Sequence, residues 1–267
     1  MRGRSWMGCL VFLAATPLAA GGAAPAPAKP AARPATPPPA AIPADVRQGL
    51  DRMGAALRAL NSFELKASVT SEEVLTSGQK LQNSAVITYA VRRPDRMFID
   101  IAAPQKHRQI FYDGKQFTIF GPATGYFASV GAPATIGAML KKANDDYGIE
   151  MPMADLFEWG TEAFPVARIK SAMNAGIDTI DGRTCSHYAF RQAAVDWQVW
   201  IDQAEPALPC KLVITNTEDV AQPTLTAVYS WATNATFGDD KFQFQPPSSA
   251  RKIVLGQVGA APARGGK

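Results

Sequence analysis

The side chains best suited to chemistry are the histidine His187 and the cysteine Cys185, which lies two residues before it. Side chains alternate along a strand, so these two would share one strand face, as a thiol nucleophile and its base must do. The alternative is a disulfide-bonded cysteine beside a histidine that lies at the surface or is satisfied by its neighbours. We favour this alternative and expect neither residue to be catalytic.

The other candidate groups are His107 and the carboxylates Asp100, Asp113 and Asp196. Neither histidine has a Cys, Asp or Glu at the spacing of metal ligands, and the sequence has no HExxH or CxxC motif. It also lacks a GxSxG motif and a P-loop. A glycosidase needs two carboxylates that face each other, whereas these three fall at predicted turns and strand ends. The sequence therefore predicts a protein that is not an enzyme, with no metal and no cofactor.

The stretch Tyr89–Val130 is predicted to form a meander of short antiparallel strands. Four turn signals divide it: Arg93–Asp95, Ala103–Gln105, Asp113–Gly114 and Gly121–Ala123. In the first turn, proline restricts its own φ and keeps the preceding arginine out of the helical region. The segments between the turns are rich in aromatic and β-branched residues and are too short to be helices. The rest of the chain should extend this sheet or cover it.

Helical spacing appears before and after this meander. An amphipathic helix should begin with Asp45 as its N-cap, and helical spacing returns in Ala134–Tyr147 and in the short piece Met153–Trp159. The two later helices should pack across one sheet face as a lid. The further predicted strands are Phe63–Thr70, Leu81–Val91, Phe164–Met173, Arg183–Arg191, Ala194–Asp202, Pro209–Thr217, Thr224–Thr233 and Phe242–Gln245. The predicted fold class is α+β, mainly antiparallel β, with about ten or eleven strands.

Alternation along the strands predicts one broadly apolar sheet face. Trp197 and Val199 should point to one side and Trp200 to the other, and Phe117 and Ile119 should oppose their neighbours in the same way. A sheet must hide such a face by closing into a barrel or by taking a helical cover, and the space beneath a thin cover can become an apolar pocket. The alternative is a fully packed core. The predicted lining is Leu65, Ile87, Phe117, Ile119, Trp197, Val199 and Leu225, and the predicted lid residues are Ile136, Met139, Leu140, Leu156 and Phe157.

The charge distribution argues against a nucleic-acid partner. The sequence has 27 basic and 23 acidic residues, a formal net charge of +4. Six of the basic residues lie near the two termini, so the segment Ala44–Lys252 holds 21 basic against 23 acidic residues, a net charge of −2. A nucleic-acid-binding domain should carry a basic stripe in its folded part.

The N-terminal region has the features of a secretory signal. Arg2 and Arg4 precede an apolar stretch, Met7–Ala15, and small residues follow it. The predicted organisation is a cleaved signal peptide (1–24), a Pro/Ala-rich linker (25–43), a single domain (44–255) and a disordered tail (256–267). We therefore expect an exported, periplasmic protein; an uncleaved N-terminal anchor is the alternative.

Two cysteines remain after the signal, Cys185 and Cys210. In an oxidising compartment, two cysteines of one domain can form a disulfide, and each of these flanks one side of the same meander. The sequence therefore predicts a disulfide, with two separate buried thiols as the alternative.

Several segments together resemble the LolA/LolB-like superfamily of periplasmic lipoprotein carriers, and within it a family of predicted periplasmic proteins of unknown function. The resemblance runs from about Val46 to Ile253, and the segments that carry it are Tyr89–Arg96, Tyr112–Lys115, His187–Arg191, Asp196–Ile201, Pro209–Thr215 and Phe242–Pro247. It implies an unclosed half-barrel whose hydrophobic concavity is plugged by a helical lid and accepts acyl chains when the lid opens. Arg93 matches the basic residue that holds the carrier's lid closed through hydrogen bonds; the alternative is a solvated turn residue.

These observations predict a non-enzymatic periplasmic carrier, monomeric, for a lipid, a lipoprotein acyl chain or another hydrophobic ligand. Its partners would be that lipid or acylated ligand and, transiently, an envelope protein or a membrane surface. The first alternative is a structural or interaction protein of the cell envelope with a filled core. The second is a hydrolase that uses His187 or the scattered carboxylates.

Overall fold

The computed structural model describes residues 42–159 and 166–258. The predicted signal peptide, nearly all of the predicted linker and the end of the predicted tail lie outside the described residues. Residues 256–258 of that tail are described, and the Val258 amide donates a hydrogen bond to the Asp146 carbonyl oxygen (2.8 Å).

One unclosed sheet contains every strand of the described residues. The strand order is β12-β6-β5-β4-β3-β2-β1-β11-β10-β9-β8-β7, antiparallel throughout except for the parallel pair β12–β6. The strands are β1 Ser62–Val74, β2 Lys80–Arg92, β3 Arg96–Ala103, β4 Lys106–Tyr112, β5 Gln116–Gly121, β6 Tyr126–Gly131, β7 Ser171–Ile180, β8 Arg183–Arg191, β9 Val195–Asp202, β10 Pro209–Asn216, β11 Thr224–Ala232 and β12 Arg251–Lys252. The helices are α1 Ala44–Ala59, α2 Ile136–Tyr147 and α3 Asp155–Glu158, with 3-10 turns at Val166–Arg168 and Asp239–Phe242. The predicted fold class and the half-barrel expected from the resemblance are confirmed.

The turns of the central meander are those that the sequence predicts. The Arg93–Pro94 peptide is cis and joins β2 to β3. At the third turn signal, the Asp113 carboxylate accepts hydrogen bonds from the amides of Lys115 and Gln116. Gly114 has φ +83°, a conformation that favours glycine. These local bonds explain why short sequence signals were sufficient here.

The helices differ from the prediction at their ends. Helix α1 begins at Ala44, and the predicted N-cap Asp45 lies inside its first turn and caps nothing. Its carboxylate instead accepts a hydrogen bond from Asn174 of β7 (2.8 Å), a contact between segments distant in the sequence. Helix α2 begins after Thr135, whose hydroxyl accepts a hydrogen bond from the Ala138 amide (3.3 Å). The predicted helix Met153–Trp159 forms only the single turn α3.

One predicted strand is misplaced and another is wrong. Of the predicted strand Phe164–Met173, only Ser171–Met173 are strand, as the beginning of β7; Val166–Arg168 form a 3-10 turn, and residues 164 and 165 lie outside the described part. The predicted strand Phe242–Gln245 is a 3-10 turn followed by irregular chain. Its alternating phenylalanines pack against the outer sheet face, where the Phe244 ring lies 5.0–5.2 Å from those of Phe111, Phe120 and Phe127. The open edge of β6 is occupied by β12 instead.

The two faces of the sheet form separate apolar layers. The inner face and the three α-helices enclose the main core, which includes Trp197 and Val199. The outer face carries two smaller clusters, one of them formed by Trp200 with Cys185 and Cys210. Trp197 and Trp200 therefore point to opposite faces, as the alternation predicts.

Candidate ligand site beneath the helical cover

The structure brings the seven predicted lining residues together on the inner face. All seven belong to one continuous apolar cluster; five are buried and two are partly buried. They come from five strands on both sides of the sheet centre, so only the assembly of the whole sheet places them in one cluster. The buried members are Leu65, Ile87, Phe117, Trp197 and Val199, and the partly buried ones are Ile119 and Leu225.

The predicted lid residues lie against the same cluster. Ile136, Met139 and Leu140 of α2 are buried, whereas Leu156 and Phe157 of α3 are only partly buried. The apolar stripe of α1 is visible in the sequence, but nothing there places this helix in the cover. Helix α1 contributes a third covering element through Val46, Leu50, Met53 and Leu57, all buried in the same cluster.

Helix α2 is held to the sheet at its beginning. The Ile136 amide donates a hydrogen bond to the Pro94 carbonyl oxygen (2.9 Å), which ties the helix to the turn between β2 and β3. The Tyr112 hydroxyl donates to the Pro133 carbonyl oxygen just before the helix. Burial raises the pKa of Tyr112 to about 12, so this hydroxyl is a protonated donor at neutral pH.

The α3 segment has fewer anchors. The Tyr89 hydroxyl donates a hydrogen bond to the Pro152 carbonyl oxygen ahead of α3. The Phe157 ring lies 5.6 Å from the Tyr89 ring and 6.3 Å from the Phe63 ring, measured between centroids. Phe157 thus closes the part of the inner face that the single turn α3 covers.

Arg93 lies beside this turn. Its guanidinium carbon is 5.9 Å from the centre of the Phe157 ring, within range of a cation–π interaction. Its Nε is buried and has no hydrogen-bond partner among the described residues, and burial lowers the pKa of the guanidinium. Arg93 therefore contacts α3 through the Phe157 ring. The resemblance implied that this contact would be made through hydrogen bonds.

A second buried donor lies under the same cover. The Tyr229 hydroxyl of β11 is buried and has no hydrogen-bond partner among the described residues. Burial raises its pKa, and the nearby Asp155 carboxylate of α3 raises it further. Partial desolvation raises the pKa of Asp155 itself. Tyr229 is not among the predicted lining residues, and its only signal in the sequence is that it alternates in phase with the apolar residues of its strand.

The groups that could have done chemistry are otherwise engaged. Cys185 and Cys210 form the predicted disulfide, with their Cα atoms 6.9 Å apart, which removes the nucleophile from the Cys–His interpretation. His187 stacks on Trp200 with ring centroids 4.0 Å apart, and its Nε2 lies 2.9 Å from Gln198 Oε1.

The carboxylates are engaged as well. Asp100 pairs with His107 (2.8 Å), Asp196 pairs with Arg191 (2.8 Å), and Asp113 belongs to its turn. Across residues 42–159 and 166–258, no three His, Cys, Asp or Glu side chains lie close enough together to hold a metal ion. None of the helices described is long and apolar enough to cross a membrane.

Two surface pockets lie away from α2 and α3. One, of about 430 Å³, is on the outer face between β4–β6 and the C-terminal segment, and its lining includes Phe111, Thr118, Phe127 and Phe244. The other, of about 380 Å³, lies at the C-terminal end of α1 beside Pro206 and Asn234. Neither is lined by a residue of α2 or α3.

The fold and the site define a class of protein: a single unclosed antiparallel sheet whose apolar inner face lies under short helices. The chain belongs to the family described as predicted periplasmic protein (DUF2092), whose model matches residues 47–255. This membership confirms the family that the sequence resembles and the periplasmic location that the N-terminal signal predicts. No curated protein matches the chain.

This chain is similar to many solved structures at low identity, and three of them illustrate the range. An uncharacterized conserved protein from Thermus thermophilus is 10% identical, with a TM-score of 0.44, over 79% of this chain and 99% of that one. LprF from Mycobacterium bovis is 16% identical, with a TM-score of 0.45, over 78% and 98% of the two chains. The MucA/MucB complex from Pseudomonas aeruginosa gives 14% identity and a TM-score of 0.42, over 79% of this chain and only 64% of that one.

Proposed function

We propose that this protein is a non-enzymatic periplasmic carrier that binds a lipid or another acylated, hydrophobic ligand between the sheet and its helical cover. The observation that carries the proposal is the continuity of one apolar cluster across the inner face and the cover, closed at one place by the single turn α3. Ligand entry requires that α3 move away and that Phe157 leave its contacts with Phe63 and Tyr89. Helices α1 and α2 stay in place.

The energies favour such an exchange. Burial of a CH₂ group is worth about 0.8 kcal/mol, so a chain of roughly 16 carbons brings on the order of 10 kcal/mol before ordering costs. Displacement of α3 gives up one hydrogen bond at Pro152, about 1 kcal/mol, and the Arg93 contact with the Phe157 ring, about 0.5–2 kcal/mol. It also gives up the partial burial of Leu156 and Phe157, at most about 3 kcal/mol each. The gain exceeds this loss, and no catalytic group is needed because the bound ligand is not changed.

Mass spectrometry under native conditions tests the proposal directly. Protein purified from the periplasm without detergent should carry an additional mass of lipid size, which organic extraction removes. Bare polypeptide under every mild condition would refute the proposal. The same spectra report whether the protein is a monomer, as we propose.

A matched pair of phenylalanine variants tests the entry point. Phe157→Ala should increase the fluorescence of bound N-phenyl-naphthylamine at least severalfold, because it opens the inner face beneath α3. Phe244→Ala removes a partly buried ring of similar environment from the outer face and should leave probe binding unchanged. Equal effects of the two variants would place the probe outside the proposed site.

A second candidate function is that of an envelope interaction protein with a permanently filled core. It is supported by the deep burial of the inner-face residues and by two surface pockets that lie away from α2 and α3. Its partner would be an envelope protein that binds at the surface. This function predicts that Phe157→Ala only destabilises the protein and admits no probe.

A further inference from the structure

Tyr229 lies at the centre of the sheet with a hydroxyl group that is not satisfied. The residue is 1% exposed and lies opposite Ala67 of the neighbouring strand β1, in the middle of the inner face. Its hydroxyl has no hydrogen-bond partner among the described residues. A buried donor without a partner destabilises the closed state, and a phenylalanine at this position would avoid that cost.

The hydroxyl lies in the layer that α3 covers. It is close enough to the Asp155 carboxylate of α3 and to the Tyr89 phenol for each pair to interact electrostatically. A row of rings leads from it to the closing side chain: Tyr229 to Trp231 (6.3 Å), Trp231 to Phe63 (5.9 Å) and Phe63 to Phe157 (6.3 Å), between centroids. A chain that replaces Phe157 and follows these rings comes within reach of the Tyr229 hydroxyl.

The surroundings of the hydroxyl select the group that it can bind. The neighbouring carboxylate of Asp155 repels an anion, and burial of a free carboxylate among these rings would be costly. A hydrocarbon offers no acceptor. A carbonyl oxygen of an ester is uncharged, accepts the phenolic proton and lies directly next to an acyl chain.

We infer that Tyr229 is a specificity-determining residue of the proposed carrier and donates a hydrogen bond to the ester carbonyl of an acyl-ester ligand. This inference rests on the proposed function and adds the chemical class of the ligand. Because the Tyr229 hydroxyl has no partner in the closed protein, it gains a hydrogen bond only from a ligand with an acceptor. The protein should therefore bind esters more tightly than ethers or alkanes of the same length.

A comparison of an ester with its matching ether tests the inference. Delipidated protein is loaded with N-phenyl-naphthylamine, which is displaced by monopalmitoylglycerol, an ester, or by hexadecylglycerol, the ether without the carbonyl. The wild-type protein should prefer the ester by about five- to tenfold, the contribution of one hydrogen bond between neutral groups. Tyr229→Phe should lose this preference while its affinity for the ether stays unchanged.

Controls separate this inference from the proposed function. Tyr126→Phe changes an exposed tyrosine of β6 and should keep the preference for the ester. If the wild-type protein and Tyr229→Phe prefer the ester to the same degree, the inference is overturned and the carrier function stays intact. That result is expected if a water molecule satisfies the Tyr229 hydroxyl. Failure of both lipids to displace the probe, with bare polypeptide in the native mass spectrum, would overturn both.

A second measurement needs no variant. Infrared spectroscopy of carbonyl-labelled monopalmitoylglycerol bound to the wild-type protein should show a carbonyl band at lower frequency than the same lipid in an alkane. A band at the alkane frequency would overturn the inference even if Tyr229→Phe failed to fold.

Discussion

The Tyr89 hydroxyl donates a hydrogen bond to the Pro152 carbonyl oxygen and so joins the centre of the sheet to the segment that leads into α3. Tyr112 makes the corresponding bond to the Pro133 carbonyl oxygen ahead of α2. Both tyrosines lie on the inner face, and both acceptors are carbonyl oxygens of prolines in the segments that lead into the two helices. The two bonds attach the cover at two separate places.

The variant Tyr89→Phe should loosen α3 alone. It removes the donor and leaves the Pro152 carbonyl unsatisfied, which costs about 1–2 kcal/mol in the closed state. Amide hydrogen exchange should accelerate about five- to thirtyfold in residues 153–159. Tyr112→Phe is the matched control and should accelerate exchange at the beginning of α2 instead. Identical exchange patterns for the two variants would contradict separate attachment points.

Arg93→Met should shift α3 toward the open state. The substitution keeps most of the side-chain volume and removes the charge that lies 5.9 Å from the Phe157 ring. A cation–π contact is worth about 0.5–2 kcal/mol, so the open fraction should rise about two- to thirtyfold. Stopped-flow fluorescence should show faster entry of N-phenyl-naphthylamine. An entry rate equal to that of the wild type would contradict a role of Arg93 in holding α3 closed and would favour its interpretation as a turn residue.

Stability should fall in alkali because of three buried tyrosines. Burial raises the pKa of Tyr89 and Tyr229 above the usual range and that of Tyr112 to about 12. Below about pH 10 these groups are protonated in the folded and the unfolded state, so their contribution is fully present. Above pH 10 only the unfolded state loses the protons, and each tyrosine should lower the free energy of unfolding by about 1.4 kcal/mol per pH unit.

Urea unfolding followed by far-ultraviolet circular dichroism between pH 9 and pH 11.5 measures this slope. Tyr112→Phe should reduce the slope of the free energy of unfolding against pH by about 1.4 kcal/mol per pH unit, the contribution of one tyrosine. Complete phenolate absorbance in the folded protein near pH 10 would contradict the burial of these hydroxyl groups.

Loss of the disulfide should destabilise the sheet without an effect on the inner face. Cys185 and Cys210 are separated by 25 residues and link β8 to β10 beneath Trp200. A disulfide that closes a loop of this length contributes about 3–4 kcal/mol to the free energy of unfolding. The double variant Cys185→Ala/Cys210→Ala should lose about that much in urea unfolding and keep its affinity for the probe. A weaker affinity in the folded variant would show that the two faces are coupled.

The strands and the faces of this sheet were predictable because their signals are local. The alternation in Phe63–Thr70 and around Trp197 follows from the pleat of a single strand. The turn at Asp113 depends on bonds to its own next residues. The same alternation misled at Phe242–Gln245, because a pattern of side chains does not show whether the backbone finds a strand to pair with.

The sequence by itself determined the mainly antiparallel fold, the apolar face, the helical segments that cover most of it and the absence of catalytic motifs. These properties depend on composition and on spacing within short segments. Only the tertiary structure decided that α1 shares in the cover, that Tyr89 holds the segment before α3 and that, among the described residues, Arg93 Nε and the Tyr229 hydroxyl lack partners. Hydrogen-bond satisfaction depends on residues far apart in the chain, as between Tyr89 and Pro152, 63 residues away, and no local pattern contains that information.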